Sequence, residues 1–250
     1  MSLLQKVVTN EHGAKPPRIV VYGEAGIGKT TFAASATKPL LIDLEGSADY
    51  IDVAKAKPKN YAAVLELIDA VIKEEHDYKT LVIDSLDWLE RLIHEDICTS
   101  VKAKTITEKT NAATGYGNGY ILACNKFIDL RERLDQVRDK KNMSIILTAH
   151  TLVKKRDDPI DGDFDEYTLK LHEKFAGAAI EWADAVLLVK KKMIDSDKAP
   201  NGKIQGETIL YAENMLGTKT KNRLGLPKQV TCNWNSFISA IGTNPFNNNN

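Results

Sequence analysis

The sequence predicts an α/β fold: a mostly parallel central sheet with helices on both faces and an antiparallel hairpin near the C-terminus. Three observations carry this prediction. Short, nearly continuous apolar runs recur along the chain, amphipathic stretches separate them, and a glycine-rich turn joins the first run to a helix-prone segment. Strands that are apolar throughout are buried on both faces, which in alternation with helices means a parallel sheet.

The elements follow in order. Ile19–Tyr22 reads as the first strand, with Thr31–Ala36 as the helix after the turn, and Leu40–Leu44 is the second strand. Asn60 is an N-cap for the helix Tyr61–Glu75, in which Val64, Leu67, Ile68, Val71 and Ile72 share one face. Strand Leu81–Ile83 precedes a helix carrying Leu86, Leu89, Ile93 and Ile97, and a third helix runs from about Tyr120 to Val137. Ile145–Leu147 and Ala185–Val189 complete the predicted parallel strands. Val186–Met193 and Thr208–Ala212, linked through Pro200-Asn201-Gly202, read as the hairpin. A short helix, Phe237 to Ile241, closes the domain. The expected organisation is an N-terminal extension (1–16), one core (17–242) and a disordered Asn-rich tail (243–250).

Composition narrows the function classes. The 250 residues are 43% apolar and 27% charged, which excludes collagen-like, disulfide-scaffold and wholly disordered chains. No run approaches the ~20 apolar residues of a membrane span, so no membrane partner is expected. Three dispersed cysteines, Cys98, Cys124 and Cys232, read as thiols of a reducing cytoplasm. The 34 basic and 34 acidic residues cancel, which excludes bulk attraction to nucleic acid. The cancellation is not local, however. Residues 138–156 carry net +5, 157–184 net −7, and 186–228 net +5.

The strongest motif is Gly23-Glu24-Ala25-Gly26-Ile27-Gly28-Lys29-Thr30, followed by Thr31. It satisfies G-x-x-x-x-G-K-[ST] between a strand and a helix. Glycines in such a loop let backbone N–H groups turn toward phosphates, the lysine reaches the β- and γ-phosphates, and the hydroxyl ligates Mg²⁺. ATP and Mg²⁺ are the implied cofactors, with Gly23 to Thr31 binding nucleotide. Leu81-Val82-Ile83-Asp84 supplies an apolar strand ending in a carboxylate, so Thr30 and Asp84 are the expected metal pair. Ser85, not Glu, follows Asp84, so a base for the attacking water must come from elsewhere. Glu45, at the end of the second strand, is the candidate, with Asp43 competing from the same face. His150, at the end of Ser144–Thr148, is placed to sense the γ-phosphate by hydrogen bonding.

In this order these segments resemble the RecA-type recombinase core. In that family an I-D-x-E strand carries the catalytic glutamate, matched by Ile42-Asp43-Leu44-Glu45. A strand ending in D-S follows, matched by Asp84-Ser85, and His150 stands at the sensor position. The family's late K-N-K segment, which enters the neighbouring subunit's ATP site, is matched by Lys221-Asn222-Arg223 ahead of Pro227. The resemblance therefore implies a RecA-like P-loop NTPase core in which Lys29, Glu45 and His150 act with Lys221 and Arg223 as trans-acting cations. More specifically, the chain is similar to short phage-encoded RecA-like proteins of single-strand annealing and recombination. Features pointing there are Glu181–Val189, Leu210–Glu213 and the K-N-R-L-G-L-P segment. That implies ATP at a subunit interface of a ring or short filament, in the bacterial host cytoplasm, and a single-stranded-DNA-binding protein as a further candidate partner.

Two segments occupy the places where that family holds single-stranded DNA. The first spans 99–120, with Lys102, Lys104 and Lys109, and with Tyr116 and Tyr120 among glycines that would give mobility. Its tyrosines have packing against a helix as their alternative. The second is the loop containing Lys154, Lys155 and Arg156, followed by the acidic run Asp157 to Glu166. This pair has head-to-tail subunit contact as its alternative. The expected activity is DNA-stimulated ATP hydrolysis serving annealing or strand exchange. A nucleotide or metabolite kinase and a non-hydrolysing loader are the other two readings.

Overall fold

The computed structural model describes residues 15–159, 162–195, 203–213 and 215–242. The start of the N-terminal extension, the Pro200-Asn201-Gly202 turn and the Asn-rich end lie outside the described residues.

The strands and helices are β1 (Arg18–Gly23), α1 (Lys29–Ala34), β2 (Pro39–Asp43), β3 (Ala54–Ala56), α2 (Tyr61–Lys73), β4 (Thr80–Asp84), α3 (Leu86–Ser100) and α4 (Asn118–Lys141). They continue with β5 (Ser144–Arg156), β6 (Phe164–Leu169), α5 (Glu173–Trp182), β7 (Ala185–Asp195), β8 (Lys203–Tyr211), β9 (Lys221–Asn222), β10 (Gln229–Thr231) and α6 (Trp234–Ala240). The sheet order is β10-β8-β7-β1-β5-β4-β2-β3, with β6 on β5 and β9 on β7. From β7 to β3 the pairings are parallel, and β8 and β10 pair antiparallel. The predicted α/β class, mostly parallel sheet and C-terminal hairpin are all present.

Alternation by one residue splits the core in two. Val20, Tyr22, Ile42, Leu81, Ile83, Ile145 and Leu147 face α2, α3, α4 and α5. Their neighbours Ile19, Val21, Leu41, Val82 and Ile146 face α1 and α6, where Phe32, Trp234 and Phe237 pack edge-on or stacked. Asn60 caps α2, its side chain accepting from the Ala63 N–H at 2.9 Å. Helix α4 runs beyond its predicted end because Arg138, Lys140 and Lys141 suit a C-terminal turn.

Two expectations are corrected. The basic segment Lys154–Arg156 is the distal half of β5, paired antiparallel with β6, not a loop. The acidic run opposite supplies its partners: Lys155 pairs with Asp163 at 2.7 Å and Arg156 with Glu166 at 3.2 Å. Opposite charges facing across an antiparallel pair favour a hairpin over two repelling loops. The glycines of 99–120 also do more than confer mobility. A Cβ on Gly119 would sit 2.1 Å from the Ile106 carbonyl, so this glycine lets the segment fold back onto the start of α4.

A partly buried charge cluster ties the start of β1 to the residue before β7. The Arg18 guanidinium meets Asp184 at 2.8 and 3.2 Å, and the Arg18 backbone N–H donates to the same carboxylate. Arg138 adds a fourth contact at 3.5 Å. Burial pushes the Asp184 carboxyl up, but these bonds prevail and hold it below its ordinary value. Asp184→Asn should destabilise the fold by about 1.5–3 kcal/mol, because it removes the charge that accepts from Arg18 and lies beside Arg138, although Arg18 keeps Asp135 and Arg138 keeps the Pro16 carbonyl. A carboxylate held low contributes stability above its unfolded pKa and loses it as pH falls through the folded value. The cost measured by chemical denaturation should therefore be full at pH 7 and shrink below about pH 4.

Candidate active site

The carboxyl ends of four adjacent strands converge at one edge of the sheet, where open α/β sheets hold ligands. Register places Gly23 of β1 beside His150 of β5, and Asp43 of β2 beside Asp84 of β4.

The turn from β1 to α1 needs its glycines for two reasons. A Cβ on Gly23 would lie 2.7 Å from the Val189 carbonyl of β7. Gly26 and Gly28 take φ of 73° and 109°, which only glycine adopts readily. Glu24, Ala25 and Thr31 are exposed on the loop and first helical turn, and Ile27 tucks partly under it. The Lys29 ammonium is buried, donating to the Gly23 and Glu24 carbonyls at 3.0 and 2.9 Å. Burial lowers its pKa, against the opposing pull of Asp84, Glu45 and Asp87. A buried ammonium held only by carbonyl oxygens leaves room for an anion to bind more favourably.

Beside it the Asp84 carboxylate accepts from Thr30 Oγ1 at 2.8 Å, from Ser47 Oγ at 2.6 Å and from the Thr148 hydroxyl. Among the described residues no group of three His, Cys, Asp or Glu side chains could hold a metal ion alone. A hydroxyl and one carboxylate of hard oxygen character suit Mg²⁺, which keeps several waters and takes phosphate oxygens for the rest. The donor set therefore fits a nucleotide-borne Mg²⁺.

Asp43 and Glu45 separate into different roles. Asp43 is buried and shapes the turn after β2, its Oδ1 accepting from the Gly46 and Ser47 N–H groups at 2.7 and 3.2 Å. Glu45 instead faces His150, with Oε1 3.6 Å from Nε2. Burial raises the Glu45 carboxyl above its ordinary value, opposed by His150 and reinforced by Asp84 and Asp87. A cavity of about 340 Å³ opens beside it, lined by Lys57, Lys59, Trp88 and Arg91 among others. The far side of the imidazole is held by Asp87, whose Oδ2 lies 2.8 Å from Nδ1 and whose Oδ1 accepts the His150 backbone N–H at 3.1 Å.

The edge thus brings together Lys29, Thr30, Asp84, Glu45 and His150, which sequence reasoning named. It also brings in Ser47, Asp87 and Thr148, which that reasoning missed. Ser47 and Thr148 each lie two residues from a named residue, Glu45 and His150, a usable signal. Asp87 carried none, because its partner is 63 positions away.

The remaining candidates lie elsewhere. Lys221 donates to the Ile180 and Glu181 carbonyls at 2.8 and 2.7 Å, capping the end of α5 within its own chain. Arg223 is exposed two residues on. Lys102, Lys104 and Lys109 are exposed, and Tyr116 is 94% exposed at the end of the same segment. Tyr120 takes the packing alternative, its ring stacked 3.8 Å from that of His172. Lys154 lies 3.8 Å from Glu173, so each of the three basic residues at the end of β5 faces an acidic neighbour. Among the described residues, no helix is long and apolar enough to cross a membrane.

A family model described as an AAA domain matches residues 15–224, most of the chain and all of this site. No curated protein sequence matches the chain.

Proposed function

The chain belongs to this AAA-domain family of P-loop nucleotide-binding proteins, and on that premise we propose that it is a Mg²⁺-dependent ATPase acting on single-stranded DNA in RecA-like, phage-type recombination. The observation that carries the ATPase reading is the Glu45–His150 pair, set at the strand edge beside Lys29, Thr30 and Asp84. Lys29 and the loop N–H groups would bind the phosphates, and Thr30 and Asp84 would hold the Mg²⁺, which would supply charge neutralisation for the phosphoryl group being transferred. Glu45 takes the proton of the attacking water, and His150 reads the presence of the γ-phosphate beside it.

A small-molecule kinase would need an arginine lid over the phosphates. The six arginines before Arg223 are otherwise engaged: Arg18 and Arg138 with Asp184, Arg131 with the Ala178 carbonyl, Arg133 with Asp69, Arg91 with Glu95 and Arg156 with Glu166. The DNA reading rests on Tyr116, an aromatic ring presented to solvent on the same segment as the exposed Lys102, Lys104 and Lys109, residue types that stack on bases and track phosphates. Arg223 is the better trans-acting candidate of the late pair, since the Lys221 amine is taken up by α5. Such an arginine requires a homo-oligomer with ATP at the subunit interface.

One experiment tests these parts together: steady-state ATP hydrolysis with and without single-stranded DNA, alongside the mass of the assembly. The expected result is several-fold stimulation in an oligomer, lost in Tyr116→Ala. Mixing Arg223→Ala with Lys29→Ala protein should restore activity that neither has alone. A DNA-independent rate would remove the DNA role, and the absence of rescue in mixed oligomers would remove Arg223 from the neighbour's site.

A further inference from the structure

Asp87 holds His150 by two bonds at once, one to the ring and one to the backbone of the same residue. An ionised carboxylate only accepts hydrogen bonds, so the 2.8 Å contact requires the proton on Nδ1. Burial pushes the Asp87 carboxyl up, but the bonds from His150 bring it below its ordinary value, so it is ionised at neutral pH. The ring is then fixed with Nε2 toward Glu45 at 3.6 Å, and the side chains of all three residues are partly buried. At 3.6 Å the pair lies just outside hydrogen-bond reach, and contacts of this kind tighten when the substrate complex forms.

We infer that Asp87 is a positioning residue, which turns the imidazole of His150 so that Nε2 exchanges a proton with Glu45. This rests on the reading of Glu45 as the acceptor of the water proton. As the water oxygen bonds to the γ-phosphorus, the bond to the bridging oxygen breaks and its electron pair stays on ADP. The water proton goes to Glu45, passes to Nε2 to form an imidazolium braced by Asp87, and leaves with the released phosphate. Glu45 is thereby returned to its ionised form for the next turnover. Removing the orienting carboxylate of such an assembly leaves the fold intact but favours the wrong tautomer.

The test combines kinetics with nitrogen NMR of the imidazole in the full chain, His150 being assigned by its loss in His150→Gln. In the wild type, Nδ1 of His150 should carry a proton at pH 8. Asp87→Asn cannot accept from both Nδ1–H and the backbone N–H, so it should move the ring proton to Nε2. It should also lower kcat about 10²-fold or more, with KM for ATP within about twofold. In a His150→Gln background the same change should cost less than about threefold, because the imidazole that Asp87 orients is gone. An unprotonated Nδ1 in the wild type would overturn the inference, and this spectrum needs no variant to fold. So would a kcat within threefold of wild type for Asp87→Asn when Glu45→Gln is inactive. If Glu45→Gln itself turns over normally, the reading of Glu45 fails, while the spectrum still reports the Asp87–His150 contact.

Discussion

Glu45→Gln should reduce ATP hydrolysis by roughly 10²–10⁴-fold, the usual contribution of a positioned general base, while Mg²⁺–ATP binds with near wild-type affinity. The geometry separates the two effects. The Glu45 side chain makes no hydrogen bond to the phosphate-loop residues and faces the His150 imidazole at 3.6 Å, so an amide of the same shape leaves the Lys29, Thr30 and Asp84 contacts intact. What the amide loses is the ability to accept a proton. The pH dependence follows from the same environment. Burial raises the Glu45 carboxyl, and a base works only when ionised, so the acid limb of the wild-type rate should lie above the ordinary carboxylate range. That limb should vanish from the residual activity of Glu45→Gln. Single-turnover hydrolysis with pre-bound ATP measures both, and a wild-type rate in the variant would remove Glu45 from the chemistry.

The legible and the illegible parts of this site differ in how far apart in sequence the interacting atoms lie. The phosphate loop was readable because its constraints are local: Gly26 and Gly28 need positive φ, and Lys29 bonds carbonyls five and six residues away. The sheet was readable because burial on both faces leaves unbroken apolar runs such as Ile19–Tyr22. Asp43 and Glu45 stood on the same predicted face, and the preference for Glu45 had no local constraint behind it. The turn bonds that occupy Asp43 depend on how residues 43–47 bend. The basic triplet at 154–156 looked like a loop because its pattern is polar, and the pairing that makes it a strand comes from the acidic residues across the hairpin. The run around Trp182 and Asp184 was recognisable only by family resemblance. Its physical reason, the grip of Asp184 on Arg18 and of Asp135 on the Trp182 indole, spans 166 and 47 positions.

Lys29→Ala should abolish nucleotide binding while leaving the nucleotide-free protein as stable as the wild type or more so. The two halves have opposite signs because the buried ammonium has no carboxylate partner, only two backbone carbonyls. Holding a cation there costs desolvation in the empty protein, which is why burial lowers its pKa. Phosphate oxygens repay that cost on binding. Removing the amine relieves the first effect and forfeits the second. At nucleotide concentrations about 100-fold above Kd, binding stabilises the wild type by about 2.7 kcal/mol, or about 5–10 °C in Tm for a domain of this size. Thermal unfolding with and without Mg²⁺–ATP should show that shift in the wild type and in Glu45→Gln, and none in Lys29→Ala. An equal shift in Lys29→Ala would mean that nucleotide binds away from the loop. A large fall in the nucleotide-free Tm would mean that the ammonium braces the loop, and that its two carbonyl bonds outweigh the cost of burying the charge.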